Sequence, residues 1–230
     1  MKLTDPSVGL PSSPYELQIS NFQLTMPTFA KLKVKDKVQT TDDCAVVSFA
    51  VAEELQADFD YQAGQYLTLK AEIDGEEVRR SYSLCSSPLD REWKVAIKQI
   101  EDGRFSTFAN QVLQPGDELE VLPPNGRFCV PIDAEAERSY VAFAAGSGIT
   151  PILSILKTHL KAEPKSRFKL FYVNRTVQSI ILREEIEALK NQYLDRLEVY
   201  HFLTREERDT PLFNGRLDAE KLATLYRIFL

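Results

Sequence analysis

The sequence predicts a small antiparallel β-barrel followed by an α/β domain on a parallel sheet. Three observations carry that expectation. Short runs of alternating apolar and polar residues recur from Ala30 to Leu122, and continuous apolar runs alternate with helical spacing after Pro131. A change of rhythm between Pro131 and Arg138 separates the two patterns. A length of 230 residues suits one large domain or two small ones.

Residues 1–28 are rich in Pro and Ser, hold no sustained period and are expected to form a poorly ordered extension, with Met26 a candidate natural start. Ala30–Val34 then alternates apolar with charged side chains, as a half-buried strand does, and Ala45–Ala52 is a second apolar run. Tyr66–Ile73 and Glu76–Leu84 flank Asp74-Gly75, a tight-hairpin signal. Lys94–Ile100 alternates again, Ser106–Leu113 reads as a helix, and Glu118–Leu122 follows the Pro115-Gly116-Asp117 turn. These elements make a barrel over residues 29–133, with Trp93 packed in it.

In the unit spanning 134–230, Tyr140–Ala145 is a continuous apolar run, expected to be a strand buried on both faces. Ile152, Leu153, Ile155, Leu156 and Leu160 follow at helical spacing. Phe168–Val173 and Glu198–Leu203 read as further strands, Arg183–Tyr193 and the segment from Asp218 as helices. Strand–helix alternation of this kind gives a parallel sheet with right-handed crossovers. With so few strands the α/β domain is expected to be incomplete.

Composition narrows the function. A net charge of −6 without a basic stretch argues against a nucleic-acid partner. No apolar run approaches the roughly 18 residues of a membrane span, and no secretory signal opens the chain, so no membrane partner and a cytoplasmic location are expected. Cys44, Cys85 and Cys129 are odd in number and far apart, unsuited to a disulfide framework or zinc, and too few for an iron–sulfur cluster in this chain. His159 and His201 lack the clustering that metal or triad chemistry needs, so structural roles and no metal site are expected.

Three stretches carry chemistry. In Gly146-Ser147-Gly148-Ile149-Thr150-Pro151, glycines after a strand let a backbone approach a pyrophosphate, and a helix N-terminus offers unpaired N–H groups. Thr150 is expected as the N-cap, with Pro151 at the first helical position. At the tip of the next strand Asn174-Arg175-Thr176 has no carboxylate for a ribose 2′-hydroxyl, whereas Arg175 suits a 2′-phosphate, which favours NADPH over NADH. A tight turn without ligand and a solvated arginine are the plain alternatives. In Val78–Leu84, alternation sends Arg80, Tyr82 and Leu84 to one face and Ser81 and Ser83 to the other. A flat ring, a hydroxyl and a cation within four residues would suit a flavin, and equally a barrel strand with a core tyrosine.

Arg80-Ser81-Tyr82-Ser83-Leu84 resembles the flavin motif of the ferredoxin–NADP reductase family. Gly103-Arg104-Phe105-Ser106, Pro124-Asn125-Gly126-Arg127-Phe128 and the Gly146–Pro151 turn continue the likeness in order, from Phe29 to the end. Within the family the likeness is strongest to reductase components of oxygenases, that of the phenylacetyl-CoA epoxidase system of phenylacetate degradation among them. The resemblance implies that Arg80 binds the FAD pyrophosphate, Tyr82 lies against the isoalloxazine and Ser83 approaches N5. It implies that Val95 to Lys98 line the flavin's other edge, and that Gly103, Phe105 and Ser106 cradle the pyrophosphate. Gly146, Gly148 and Thr150 would hold the nicotinamide nucleotide, Thr150 near its ring, with Tyr82, Ser83 and Thr150 as the catalytic set. Asn174 and Arg175, and Arg183 as a second candidate, would meet the adenosine end.

The implied function is electron transfer from NADPH, or NADH, through FAD to an iron–sulfur protein or domain, in service of an oxygenase complex. Family members continue to a Cys-Gly-Pro motif and the oxygenase reductases to a ferredoxin-like domain, neither of which occurs here. The chain is therefore expected to be a piece of a longer protein that keeps FAD binding and has weakened hydride transfer. The alternatives are a reductase domain for a haem protein or free ferredoxin, and a flavin- or nucleotide-binding module without turnover.

Overall fold

A computed structural model describes residues 28–229 of the chain. The expected extension and Met26 lie outside the described residues, apart from Thr28. The first half holds strands β1 (Ala30–Thr41), β2 (Cys44–Ala50), β3 (Tyr66–Ile73), β4 (Glu76–Ser83), β5 (Trp93–Lys98) and β6 (Glu118–Asn125), with helix α1 (Arg104–Gln111) before β6. The second half holds β7 (Ser139–Ala145), α2 (Ile149–Ala162), β8 (Arg167–Asn174), α3 (Arg183–Gln192), β9 (Leu197–Leu203) and α4 (Ala219–Phe229).

The first six strands form one antiparallel sheet in the order β4-β3-β6-β1-β2-β5. An antiparallel bridge from Leu84 to Val95 brings its two edges together and curls the sheet into a barrel. Alternation points Leu32, Val34, Leu67, Leu69, Val78, Leu84, Val95 and Ile97 inward, where they are buried with Phe59, Phe105 and Trp93. The Trp93 indole donates to the Phe59 carbonyl at 2.7 Å, so its one polar atom is satisfied in the core. Asp74 and Gly75 both take positive φ (54° and 75°), the backbone of a two-residue hairpin turn. β1 runs well beyond the expected Val34: its charged second half carries no apolar signal, yet pairs with β2 across two irregularities in register.

The second sheet is parallel in the order β7-β8-β9. β8 is covered by α2 and α3 on one face and by the cluster of Phe171, Phe202 and Leu225 on the other. β7 departs from expectation. Tyr140, Ala142 and Ala144 pack towards α2, whereas Val141 and Phe143 on the opposite face are 38% and 45% exposed. The cause is position: β7 is the edge of this sheet among the described residues, and α4 packs over β8 and β9. His159 is fully buried on α2, with its Nδ1 3.0 Å from the Ile155 carbonyl oxygen and its ring edge-on to Tyr140.

The halves share a core. Cys44, Val46, Cys85 and Ala96 of the barrel side join Ile149, Leu153 and Leu156 of α2 in one cluster. Burial pushes the Cys44 thiol up to about 11 and the Cys85 thiol up to about 12, so both are apolar fillers. Gly64 lies at the same junction. Its φ is +100°, and a Cβ there would stand 1.9 Å from the Phe128 carbonyl oxygen and 3.3 Å from Ile155. Gly64→Ala therefore combines a left-handed backbone with a collision against main chain, and should cost about 2 kcal/mol or more in urea unfolding. Gly75→Ala, at φ +75° but facing open space, should cost about 1 kcal/mol. Equal losses in the two variants would contradict this account of the junction.

Candidate functional site

On the barrel side the site is built on β4. Leu84 N–H bonds the Gln65 carbonyl at 2.9 Å, so alternation turns the main-chain groups of Ser81 and Ser83 away from β3 towards the open edge. Tyr82 is half-buried against Phe105, with ring centroids 5.8 Å apart, and burial pushes its hydroxyl up to about 12 despite Arg80 nearby. The residue is thus a neutral phenol that presents a flat face. Arg80 is exposed and its guanidinium donates to the Arg79 carbonyl at 2.7 Å. Arg79, by contrast, is tied to Glu77 and lies over the Phe29 ring.

Gly103 ends the next turn and serves as the N-cap of α1, which starts at Arg104 and not at the expected Ser106. No side chain caps that helix, so its first N–H groups are free for an anion. A Cβ on Gly103 would stand 2.4 Å from both Ile100 Cγ1 and Ser106 Oγ, so close packing fixes the glycine. The Ser106 hydroxyl accepts from Ile100 N–H and donates to the Gly103 carbonyl, which makes it a brace for the turn. Phe105 and Val95 are fully buried, so each can offer a ligand only its backbone.

On the α/β side a cavity of about 660 Å³ opens at the C-terminal ends of the parallel strands. Gly146, Ser147, Asn174, Arg175, Arg216 and the barrel's Lys98 line it. Gly146 needs its φ of +50°, and a Cβ on Gly146 or Gly148 would project into open space, the room a bound pyrophosphate would occupy. The buried Tyr172 hydroxyl donates to the Gly146 carbonyl at 2.9 Å and holds that turn. Thr150 is not the N-cap. Gly146–Gly148 form a 3₁₀ turn that runs straight into α2 at Ile149, so Gly148 occupies the cap and the Thr150 hydroxyl donates back to the Ser147 carbonyl at 3.1 Å. Pro151 still falls within the first turn, where its missing N–H leaves nothing unpaired.

The cavity's charges favour an anion. Asn174 is buried with its Nδ2 unpartnered, and neither the Arg175 nor the Arg216 guanidinium meets a carboxylate among the described residues. Lys98 is engaged by both oxygens of Asp43 at 2.9 Å. Burial would raise the Asp43 carboxyl, but Lys98 and Thr41 outweigh it and hold it below its usual range. Arg216, which the sequence reading missed, arrives through a bridge from Leu203 to Asn214 that folds the following turn over the sheet. Arg183 is not brought here: it opens α3 and lines a separate cleft.

Side-chain hydroxyls fix the two sides relative to each other. The segment after β4 docks on α2 through Ser87 to Thr158 at 2.9 Å and Ser154 to the Ser86 carbonyl at 2.6 Å. Lys157 adds a bond to the Cys85 carbonyl at 3.2 Å and an ion pair with Glu185, and Lys161 pairs with Asp90. The strand bearing Arg80, Tyr82 and Ser83 is thereby anchored to the helix that begins at the Gly146 turn.

Comparison with known proteins agrees with this division. An oxidoreductase FAD-binding domain model matches residues 31–129, and an oxidoreductase NAD-binding domain model matches residues 143–227. The chain is 46% identical over 200 residues to one of the subunits of 1,2-phenylacetyl-CoA epoxidase from Escherichia coli (strain K12), covering 87% of this chain and 56% of that protein. It is 41% identical over 174 residues to the ferredoxin reductase component of 3-ketosteroid-9-alpha-monooxygenase of Rhodococcus rhodochrous, covering 75% and 48%. The chain thus spans about half the length of these curated relatives. In fold it resembles a ferredoxin–NADP+ reductase from Neisseria gonorrhoeae with bound FAD and NADP, with a TM-score of 0.69, 20% identity and coverage of 86% and 77%.

Proposed function

This chain belongs to the ferredoxin–NADP reductase superfamily, with an FAD-binding and an NAD-binding domain, and we propose that it passes electrons from NADPH through FAD to an iron–sulfur centre serving a multicomponent oxygenase. The observation that carries the reading is the shared cavity, lined by Lys98 from the barrel and by Gly146, Arg175 and Arg216 from the α/β side.

When bound, FAD would supply a hydride acceptor able to release electrons singly, chemistry that the protein itself lacks. Arg80 and the free N–H groups at the start of α1 would hold the FAD pyrophosphate. Tyr82 would support the ring as a neutral face, and the Ser83 main chain and hydroxyl would meet the N5 edge. Gly146 and Gly148 would admit the nicotinamide nucleotide's pyrophosphate, with Thr150 held near its ring by the Ser147 carbonyl. No carboxylate lines the cavity among the described residues, and two guanidiniums do, which favours the 2′-phosphate of NADPH. Positioning of the two rings is the protein's main contribution to rate.

The oxygenase setting draws on the two relatives, whose names place them in monooxygenase and epoxidase systems. Its test is re-oxidation of the NADPH-reduced protein under anaerobic conditions. A [2Fe–2S] ferredoxin should re-oxidise the flavin faster than a haem protein at equal concentration. Faster re-oxidation by the haem protein would overturn the choice of acceptor.

A further inference from the structure

A second cationic pocket lies away from the cofactor cleft. It holds about 280 Å³ between α3, β9 and the loop after β9, and shares no lining residue with the cavity of Arg175 and Arg216. Arg183 and Lys190 reach it from α3, Arg208 from the loop and His201 from β9, and Phe213 supplies an apolar wall. Glu187 is the one carboxylate lining it, so three cations face a single negative charge.

Two features of this arrangement favour an anion. Among the described residues no carboxylate approaches Arg183, Lys190 or Arg208 within ion-pairing distance; Arg183 and Arg208 are exposed and Lys190 is half-buried, so all three are open to an anion from solvent. Both ring nitrogens of His201 are buried and without a hydrogen-bond partner, although the side chain is 14% exposed as a whole. Glu187 lies 3.8 Å away, too far for a hydrogen bond. Burial lowers the affinity of the ring for a proton, Glu187 opposes this, and Arg208, Arg183 and Lys190 reinforce it. A neutral imidazole then offers one N–H donor and one acceptor to the pocket.

We propose that this pocket binds a small phosphomonoester, its phosphate held by Arg183, Lys190, Arg208 and the His201 ring and its organic part against Phe213. Two guanidiniums and an ammonium match a tetrahedral dianion better than a single carboxylate, and the N–H of the neutral His201 ring can donate to one of its oxygens. The volume admits one ring or a short chain and excludes a dinucleotide. Arg183 thereby belongs to this pocket and not to the nicotinamide nucleotide.

The chain has two histidines, so ring proton resonances report locally. Phenyl phosphate titrated into the FAD-loaded protein, both without NADP+ and with NADP+ saturating, should shift the His201 resonance to a plateau below about 10 mM and leave His159 in place. Arg183→Ala and Arg208→Ala should each weaken that binding roughly tenfold, and benzoate should bind at least tenfold more weakly than phenyl phosphate. Absence of a saturable shift, its abolition by NADP+, or its survival in the Arg183→Ala/Arg208→Ala double variant would overturn the site. Equal affinity for benzoate would overturn the phosphate assignment.

Discussion

Replacing Arg175 and Arg216 together with alanine should weaken binding of 2′-phospho-AMP by about 10³-fold while changing that of AMP only slightly. Each guanidinium lines the cavity from a different loop, and neither is neutralised by a carboxylate among the described residues. A charge-assisted bond to a phosphate contributes about 1.5–3 kcal/mol, and two such bonds on one group reach roughly 4 kcal/mol when the second does not fully compensate for the first. Each single variant should lose about tenfold. The same double variant should erase the preference for NADPH in kcat/KM through the NADPH value alone. Equal losses for 2′-phospho-AMP and AMP would mean that the pair grips the shared part of the nucleotide.

The second large effect is expected at Arg80. Arg80→Ala should raise the dissociation constant for FAD about 100-fold, equivalent to about 3 kcal/mol, because in the proposed site the lost cation would face the pyrophosphate. Arg79→Ala is the control. Its guanidinium is occupied by Glu77 and by the Phe29 ring, so FAD retention after gel filtration should stay close to that of the unaltered protein. The comparison separates a binding role from a general effect on β4, since both residues sit on the same strand. Equal retention in both variants would remove Arg80 from the site.

The barrel was legible because inward positions of its strands repeat every second residue: Ala30, Leu32 and Val34 alternate with charged residues before any fold is known. The charged stretch Lys35–Thr41 was not, since it is held as a strand by pairing with β2 and buries little of its own surface. The apolar run of β7 was over-read for a related reason: composition reports what can be buried, and only the strand order decides which face is covered. Within the site, glycine turns and the Arg80–Ser83 strand are contiguous and so visible in sequence. Arg216 and the Ser86–Ser87 contacts to Ser154 and Thr158 join residues remote in sequence, and bonds from side-chain hydroxyls follow no period. Arg183, a second candidate for the adenosine end, opens α3 and lines another cleft, a placement that only the folded chain shows.

The central claim is that one cleft aligns a nicotinamide nucleotide with a barrel-bound FAD. Anaerobic addition of NADPH to the FAD-reconstituted chain, followed by visible absorbance, tests it most directly. The account predicts that the flavin bands bleach, and that they bleach at lower concentrations of NADPH than of NADH. Bound flavin left unbleached by an excess of either nucleotide would contradict it.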